Sequence, residues 1–126
     1  MNRGTMLFGK NIQQKRQDAL ERNEHSRWKQ EERTERYMYD FYKYTLPVLL
    51  ERGMRRAKSS YARGGPAIGE VRLPVFVLEQ LLSSAEMRTR MSRTLYVLTS
   101  GTGFTARVQN GSHLLNYMAV TWIDMP

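Results

Sequence analysis

Residues 11–36 read NIQQKRQDALERNEHSRWKQEERTER, a stretch with only three sizeable apolar residues, Ile12, Leu20 and Trp28. The stretch lacks Gly and Pro and is rich in Gln, Glu, Lys and Arg, which are good helix formers. We therefore predict one long helix over residues 11–46 that is polar on every side. No apolar heptad is sustained along it, which disfavours a simple dimeric coiled coil.

Apolar residues become dense only after Val71, and their spacing there predicts a folded body. Pro74 can occupy the first position of a helix, and apolar residues at helical spacing extend that helix to about Met91. This amphipathic helix would bury one stripe, formed by Val75, Leu78, Leu81, Leu82 and Ala85.

Strands are predicted on both sides of this helix. Residues 70–73 could form a short strand, and residues 94–99 are rich in β-branched and aromatic side chains. Residues 104–109 alternate apolar and polar side chains, which is the period of a half-buried strand. Asn110-Gly111 is a strong hairpin signal, and residues 113–123 would then form the last strand.

These elements predict an α+β fold with a long N-terminal charged helix, which we name the arm, followed by a small body. In the body, one amphipathic helix would pack on a three-stranded antiparallel meander. We expect residues 1–60 to form the arm with an aromatic docking segment, residues 61–70 a Gly-rich linker, and residues 71–126 the body. A body of roughly 60 residues is near the lower limit for independent stability, so support from a partner, from self-association or from the arm is expected.

The chain is strongly basic, with 20 Lys and Arg against 12 Asp and Glu and a net charge of +8. Such a balance favours polyanionic partners such as nucleic acid, although ordinary solubility charge is an alternative. The stretch from residue 52 to 63 is basic with no acidic residue, and it precedes a Gly-rich segment where backbone amides and arginines could both approach phosphates. The candidate nucleic-acid-binding residues are Arg52, Arg55, Arg56, Lys58 and Arg63.

Residues 37–44, YMYDFYKY, hold five aromatic side chains, and three of them share one face of a helix. Three interpretations are open for this face: docking of the arm on the body, stacking of nucleic-acid bases, and anchoring of a partner protein. The candidate protein-interface residues are Trp28, Tyr37, Phe41 and Tyr44.

No motif indicates an enzyme, a metal site or a cofactor. The absence of cysteine excludes a disulfide framework, a thiolate zinc site and a cysteine nucleophile. Residues 101–106, GTGFTA, match the dinucleotide fingerprint G-x-G-x-x-G/A. That fingerprint requires a helix beginning at the glycines, whereas the hairpin signal at residues 110–111 would fall inside such a helix. We therefore predict a hairpin turn there and a protein that is not an enzyme and binds no cofactor or metal.

The sequence also gives expectations about location. No run of 18 apolar residues is present, so no transmembrane helix and no membrane partner are expected. The N-terminal residues lack the apolar stretch of a secretory signal. We expect an intracellular protein, cytoplasmic or nuclear, or a protein within a virion, and not a secreted one.

The leading functional hypothesis is a non-enzymatic structural or assembly protein. Its N-terminal helix would engage a partner protein or a second subunit, and its basic cluster would contact nucleic acid without sequence specificity. Such contacts are electrostatic, so affinity should fall steeply with salt. The alternative is a protein–protein interaction module, such as a virion component or a regulator, with no role in nucleic-acid binding. Binding that depends on Trp28 but not on salt would favour this alternative.

Overall fold

The structure, a computed structural model, describes residues 3–109 and 117–126, with side chains from Gln14 onward. The described residues contain a long N-terminal helix, further helices and a three-stranded antiparallel sheet. The predicted α+β class is thereby confirmed. The chain divides into two compact units, Met1–Tyr39 and Asp40–Pro126.

The first unit is helical. Helix α1 spans Arg3–Asp40, so it begins before the predicted start at residue 11. Between residues 14 and 36 every side chain is exposed except that of Thr34, which is half-buried. This part of α1 therefore gains almost nothing from apolar burial, in agreement with a helix predicted to be polar on every side.

A π-helical turn over Phe41–Thr45 precedes helix α2, Leu46–Ala62. In this turn the Leu46 N–H donates to the Phe41 carbonyl, five residues back. Pro47 lies in the first turn of α2. Because proline has no N–H and its ring crowds the carbonyl four residues earlier, it cannot continue a regular helix, and the wider π turn accommodates it. The predicted disturbance of the helix at Pro47 is confirmed.

The sheet consists of β1 (Ile68–Arg72), β2 (Phe104–Gln109) and β3 (Tyr117–Trp122). The strand predicted over 104–109 is confirmed. The strand order is β1–β3–β2, with both pairs antiparallel. The predicted meander is therefore wrong in its connectivity, because β1 and not residues 94–99 supplies the third strand. The hairpin signal at residues 110–111 and the start of the strand predicted over 113–123 lie outside the described residues.

The helix predicted over residues 74–91 is two helices, α3 (Val75–Ser83) and α4 (Ala85–Thr99). Ser84 separates them with an extended backbone, and its Oγ accepts the Met87 N–H at 3.2 Å as the N-cap of α4.

Helix α4 includes residues 94–99, which were predicted to form a strand, so that prediction is wrong. Met91, Leu95 and Thr99 recur every four residues and are all buried. The Thr94 and Thr99 hydroxyls donate to the carbonyls four residues back, which satisfies them within a helix. Burial at the helical period therefore outweighs the strand propensity of the segment.

From α2 onward the element order is helix, strand, helix, helix, strand, strand. In the sheet, with strand order β1–β3–β2, α3 and α4 are the two consecutive helices between β1 and β2, and β2 and β3 are neighbouring antiparallel strands.

The second unit is held together where α2 packs on β1 and β3. A Cβ atom at Gly69 of β1 would overlap the Gly53 carbonyl oxygen and lie 2.8 Å from the Ala57 nitrogen. A Cβ atom at Gly53 would overlap the side chain of Val120 on β3. Glycine at these two positions lets the helix backbone lie directly on the sheet. The core around this contact includes Leu46, Leu50, Val71, Val77, Leu81, Met91, Leu95 and Met118.

Helix α2 belongs to the second unit, although the sequence placed residues 46–60 in the arm. The reason is the buried side of this helix, which packs on the sheet. The Gly-rich segment is also shorter than residues 61–70, because α2 continues to Ala62 and β1 begins at Ile68. Gly64, with φ of +82°, makes the turn between them.

We expect Gly69→Ala to destabilise the second unit by about 3 kcal/mol, because the added methyl group would push α2 away from β1. Gly64→Ala is the matched control: it has open space around the new Cβ atom and should cost only about 1 kcal/mol for its left-handed backbone. Urea denaturation followed by circular dichroism measures both. Equal losses for the two variants would contradict the close packing at Gly69.

Candidate nucleic-acid interface

The outer side of α4 carries two of the most exposed large apolar side chains of the second unit. Met91 and Leu95 bury the inner side of this helix. Residues on the opposite side are spaced by three or four, so they form one continuous surface. Tyr96 is 78% exposed and Val97 is 69% exposed. We name this surface the α4 outer face and define it by Thr89, Arg93, Tyr96 and Val97.

Three arginines of α4 lie outside the last turn of the helix. Arg88, Arg90 and Arg93 lie in the first two-thirds of α4, which begins at Ala85 and ends at Thr99. The helix macrodipole favours cations only within the last turn. These arginines therefore require other reasons for their positions.

Each of the three has a different environment. The Arg88 guanidinium donates to the Leu81 carbonyl at 2.7 Å and so satisfies the end of α3. The Arg90 guanidinium lies 5.4 Å from the ring centroid of Tyr42. Arg93 is exposed and forms no ion pair or side-chain hydrogen bond within the described part of the chain. Arg93 is therefore the arginine of α4 most available to a ligand.

The five predicted phosphate-binding residues all lie on or at the end of α2, and all are exposed. Arg52 and Arg56 are one turn apart, and Arg56 donates to the Glu70 carbonyl of β1 at 2.5 Å. Arg55 is paired with Glu51 at 2.5 Å in an exposed ion pair. Arg63 donates to the Ser59 hydroxyl at 2.7 Å.

Lys58 lies above an aromatic pair. Its Nζ is 5.3 Å from the Trp122 ring centroid and 5.7 Å from the Phe104 centroid. These two rings stack with an interplanar angle of 12°. Arg55 lies three residues from both Arg52 and Lys58, so these three residues follow one another along the exposed side of α2, although Lys58 itself lies over the aromatic pair.

The candidate protein-interface residues differ in exposure. Trp28 is 59% exposed and stacks against His25 with centroids 6.2 Å apart. Tyr37 and Tyr44 are also exposed. Phe41 is only 3% exposed, because the π turn places it in line with the buried Leu46. Of the three aromatic residues predicted to share one helical face, only Phe41 is buried, and it is part of the core.

Two further exposed apolar residues, which the sequence analysis did not select as interface residues, lie on the same side of α1 as Trp28 but two to three turns away from it. Leu20, Trp28 and Tyr39 fall within an arc of about 100° around the helix at 3.6 residues per turn, and all are more than half exposed. We name these three residues the α1 stripe. Residues 14–36 carry seven basic and six acidic residues, so the charge around the stripe is nearly balanced.

The outer face of α4 was missed because residues 94–99 were assigned to a strand. Two local signals could have identified the helix. Ser84 followed by Ala85-Glu86 is a typical helix start, and the apolar residues Met91, Leu95 and Leu98 continue at helical spacing.

Comparisons with protein-family models, with curated proteins and with solved structures return no match for this chain. Within residues 3–109 and 117–126, no cluster of three or more metal-ligating side chains occurs. Over the same ranges, no helix has the length and apolar character needed to cross a membrane. Residues 101–103 form a turn that joins α4 to β2, so the hairpin turn predicted there is wrong, because residues 94–99 belong to a helix.

Tyr42, in the π turn, carries a buried hydroxyl that forms no hydrogen bond within the described residues. Burial raises the pKa of this phenol above its usual value of 10.0, and the positive charge of Arg90 partly offsets the rise. The unfolded phenol therefore ionises at lower pH than the folded one. The stability linked to this group is present below pH 10 and is lost as the pH rises through the folded pKa.

We expect Tyr42→Phe to remove this alkaline loss and to raise stability at neutral pH by about 1 kcal/mol, since it deletes an unsatisfied buried hydroxyl. Urea unfolding between pH 7 and 11 measures both effects. Tyr96→Phe, which changes an exposed hydroxyl, is the control and should behave as the native chain. A native pH profile in Tyr42→Phe would contradict this assignment.

Proposed function

We propose that this protein is a non-enzymatic, basic assembly protein that contacts nucleic acid through its second unit and a protein partner or second copy through α1. The observation that carries the nucleic-acid part is the unpaired, exposed Arg93 at the centre of the α4 outer face. Residues 40–126 hold eleven basic and six acidic residues, so this unit as a whole attracts polyanions.

The position of α4 in the fold supports this surface. In helix-turn-helix proteins the second of the paired helices enters the major groove of DNA, and α4 is the second of the pair here. This support is an analogy at the level of topology. Arg93 and Thr89 are residue types that contact phosphates and bases, and Val97 offers an apolar contact of the kind made with thymine methyl groups.

The five predicted phosphate-binding residues of α2 contribute to nucleic-acid binding to different degrees in this proposal. A guanidinium that donates to a carbonyl keeps its charge and several of its five donors. Arg52, Arg56 and Arg63 can therefore add phosphate contacts at low salt. Arg55 contributes less because Glu51 neutralises it, and Lys58 because it lies over the aromatic pair.

A second candidate function is protein–protein interaction without nucleic acid. It is favoured by the apolar half of the α4 outer face, where Tyr96 and Val97 are among the most exposed large apolar residues of the described chain. Tyrosine is enriched at the energetically important centres of protein interfaces.

We expect Arg93→Gln to weaken binding to a generic 20-base-pair DNA about tenfold at 50 mM salt and to reduce the salt slope by about 1, because one phosphate contact is lost. Fluorescence anisotropy over a salt series measures both values. Arg72→Gln, an exposed arginine on β1, is the matched control with the same change in net charge.

An equal, small loss of DNA affinity in Arg93→Gln and Arg72→Gln would contradict DNA binding through the α4 outer face. If the double variant Arg55→Glu with Arg56→Glu alone abolishes binding, α2 is the principal contact. Absence of binding in the native chain at 50 mM salt would favour the protein-interaction alternative.

We expect Trp28→Ala to leave the free energy of unfolding within about 0.5 kcal/mol of the native value, since the side chain is exposed, and to abolish self-association. Light scattering over a concentration series should show masses above 14.8 kDa for the native chain and not for the variant. Tyr44→Ala, a similarly exposed aromatic outside the α1 stripe, is the control. A monomeric native chain at every concentration would show that α1 does not bind a second copy.

A further inference from the structure

The basic residues of α1 are gathered on one side of the helix. At 3.6 residues per turn, five of the seven basic residues between positions 14 and 36 fall within an arc of about 60°. We name them the α1 basic row, and its members are Lys15, Arg22, Lys29, Arg33 and Arg36. Four of them follow one another at intervals of seven residues, which is about two helical turns. The side chains of Lys29, Arg33 and Arg36 line one shallow depression of the helix surface, which Glu32 also borders.

The acidic residues of the same stretch lie on a different side of α1. Five of the six fall within an arc of about 100°, whose centre is about 120° from that of the α1 basic row. These five are Glu21, Glu24, Glu31, Glu32 and Glu35. The sixth, Asp18, falls at the border of the row, and its carboxylate accepts the Gln14 amide at 3.1 Å. The nearly balanced charge of residues 14–36 is therefore the sum of one basic side and one acidic side.

The charges of the α1 basic row are available to a ligand. All five side chains are exposed, and none forms an ion pair within the part of the chain that the structure describes. The Arg22 Nε donates to the Asp18 carbonyl at 3.3 Å, which leaves its four Nη donors. From residue 15 to residue 36 the row is about 31 Å long, at a rise of 1.5 Å per residue. A line of like charges of this length complements an extended polyanion.

We propose that the α1 basic row binds the phosphodiester backbone of a double-stranded nucleic acid. A duplex carries one phosphate for about every 1.7 Å of its axis, so about nine base pairs match the length of the row and offer about eighteen phosphates. Contacts to phosphates carry no sequence information, so binding here would be independent of sequence. This inference rests on the proposed function for the class of ligand, and it adds a second contact surface that does not involve the α4 outer face.

The distribution of glutamates on α1 favours nucleic acid over a membrane as the polyanion. A helix that lies on an anionic membrane buries an apolar side in it. Around the helix, Glu24, Glu31 and Glu35 all fall between Leu20 and Trp28 of the α1 stripe. Insertion of this side into lipid would therefore bury three carboxylates, which is costly. Phosphate contacts through the α1 basic row leave these glutamates in water.

Neutralising part of the α1 basic row tests the proposal, with the full chain, a generic 20-base-pair DNA and fluorescence anisotropy over a salt series. We expect the double variant Arg22→Gln with Lys29→Gln to bind at least about tenfold more weakly at 50 mM salt and to reduce the salt slope by about 2, because two phosphate contacts are lost. The control, Arg16→Gln with Arg27→Gln, removes the same charge from exposed positions outside the row and should reduce the slope by less than about 0.5. Glutamine is a good helix former, so circular dichroism should show native helicity in both variants.

Equal losses in the two variants, or native affinity in the row variant, would overturn this proposal. Arg93→Gln separates it from the α4 outer face. Loss of affinity in Arg93→Gln alone removes the α1 basic row and retains the α4 outer face, and loss in the row variant alone does the reverse. Absence of DNA binding in the native chain overturns both.

Two competing polyanions test the class of ligand. Poly-L-glutamate should compete with DNA at least about tenfold more weakly at equal charge, because its charges are less dense than those of a duplex. Equal competition would assign the α1 basic row to an acidic protein partner and overturn the nucleic-acid assignment. Vesicles of equal parts phosphatidylserine and phosphatidylcholine should bind the native chain and the row variant alike, and binding lost in the row variant would also overturn it.

Discussion

The backbone contact between Gly53 and Gly69 is the constraint on which the second unit depends. Because neither residue has a Cβ atom, α2 lies directly on β1 and the side chain of Val120 reaches the helix backbone at Gly53. This contact fixes α2 on β1 and β3, and α4 packs against β2, the strand at the opposite edge of the sheet. A body predicted to be close to the lower size limit for stability thus gains α2 as part of its core. The buried apolar side of α2, which includes Leu46, Leu50 and Ala57, adds to this core.

Composition, alternation and proline position, which are signals within a single segment, predicted those elements that such signals are sufficient to determine. The polar composition of residues 11–36 predicted α1, the alternation from Phe104 to Gln109 predicted β2, and Pro47 predicted an interruption. Strand order could not be predicted, because β1 and β3 pair residues that are far apart in sequence, such as Ile68 and Thr121. Helix α4 was misassigned because threonine and tyrosine favour strands unless burial at the helical period decides otherwise.

The same difference between signals within one segment and contacts between distant segments applies to the candidate site. Composition identified the basic residues of α2, and all five are exposed as a solvent-facing cluster requires. Their individual partners depend on contacts with distant segments, such as Arg56 with Glu70 and Lys58 with Trp122. No spacing rule predicts those contacts. The availability of Arg93 likewise depends on the packing of α4, which became visible only with the fold.

The hydrogen bond from Arg56 of α2 to the Glu70 carbonyl of β1 affects how the sheet can aggregate. The Trp122 N–H donates to the Ala67 carbonyl, so the antiparallel pattern directs the backbone groups of Ile68, Glu70 and Arg72 away from β3, toward the open side of β1. An open strand of this kind can be extended by a strand from another molecule. Arg56 occupies the middle carbonyl of that row and places a positive charge where an incoming strand would pair. Part of the basic character of α2 therefore protects the sheet from growing into a larger assembly.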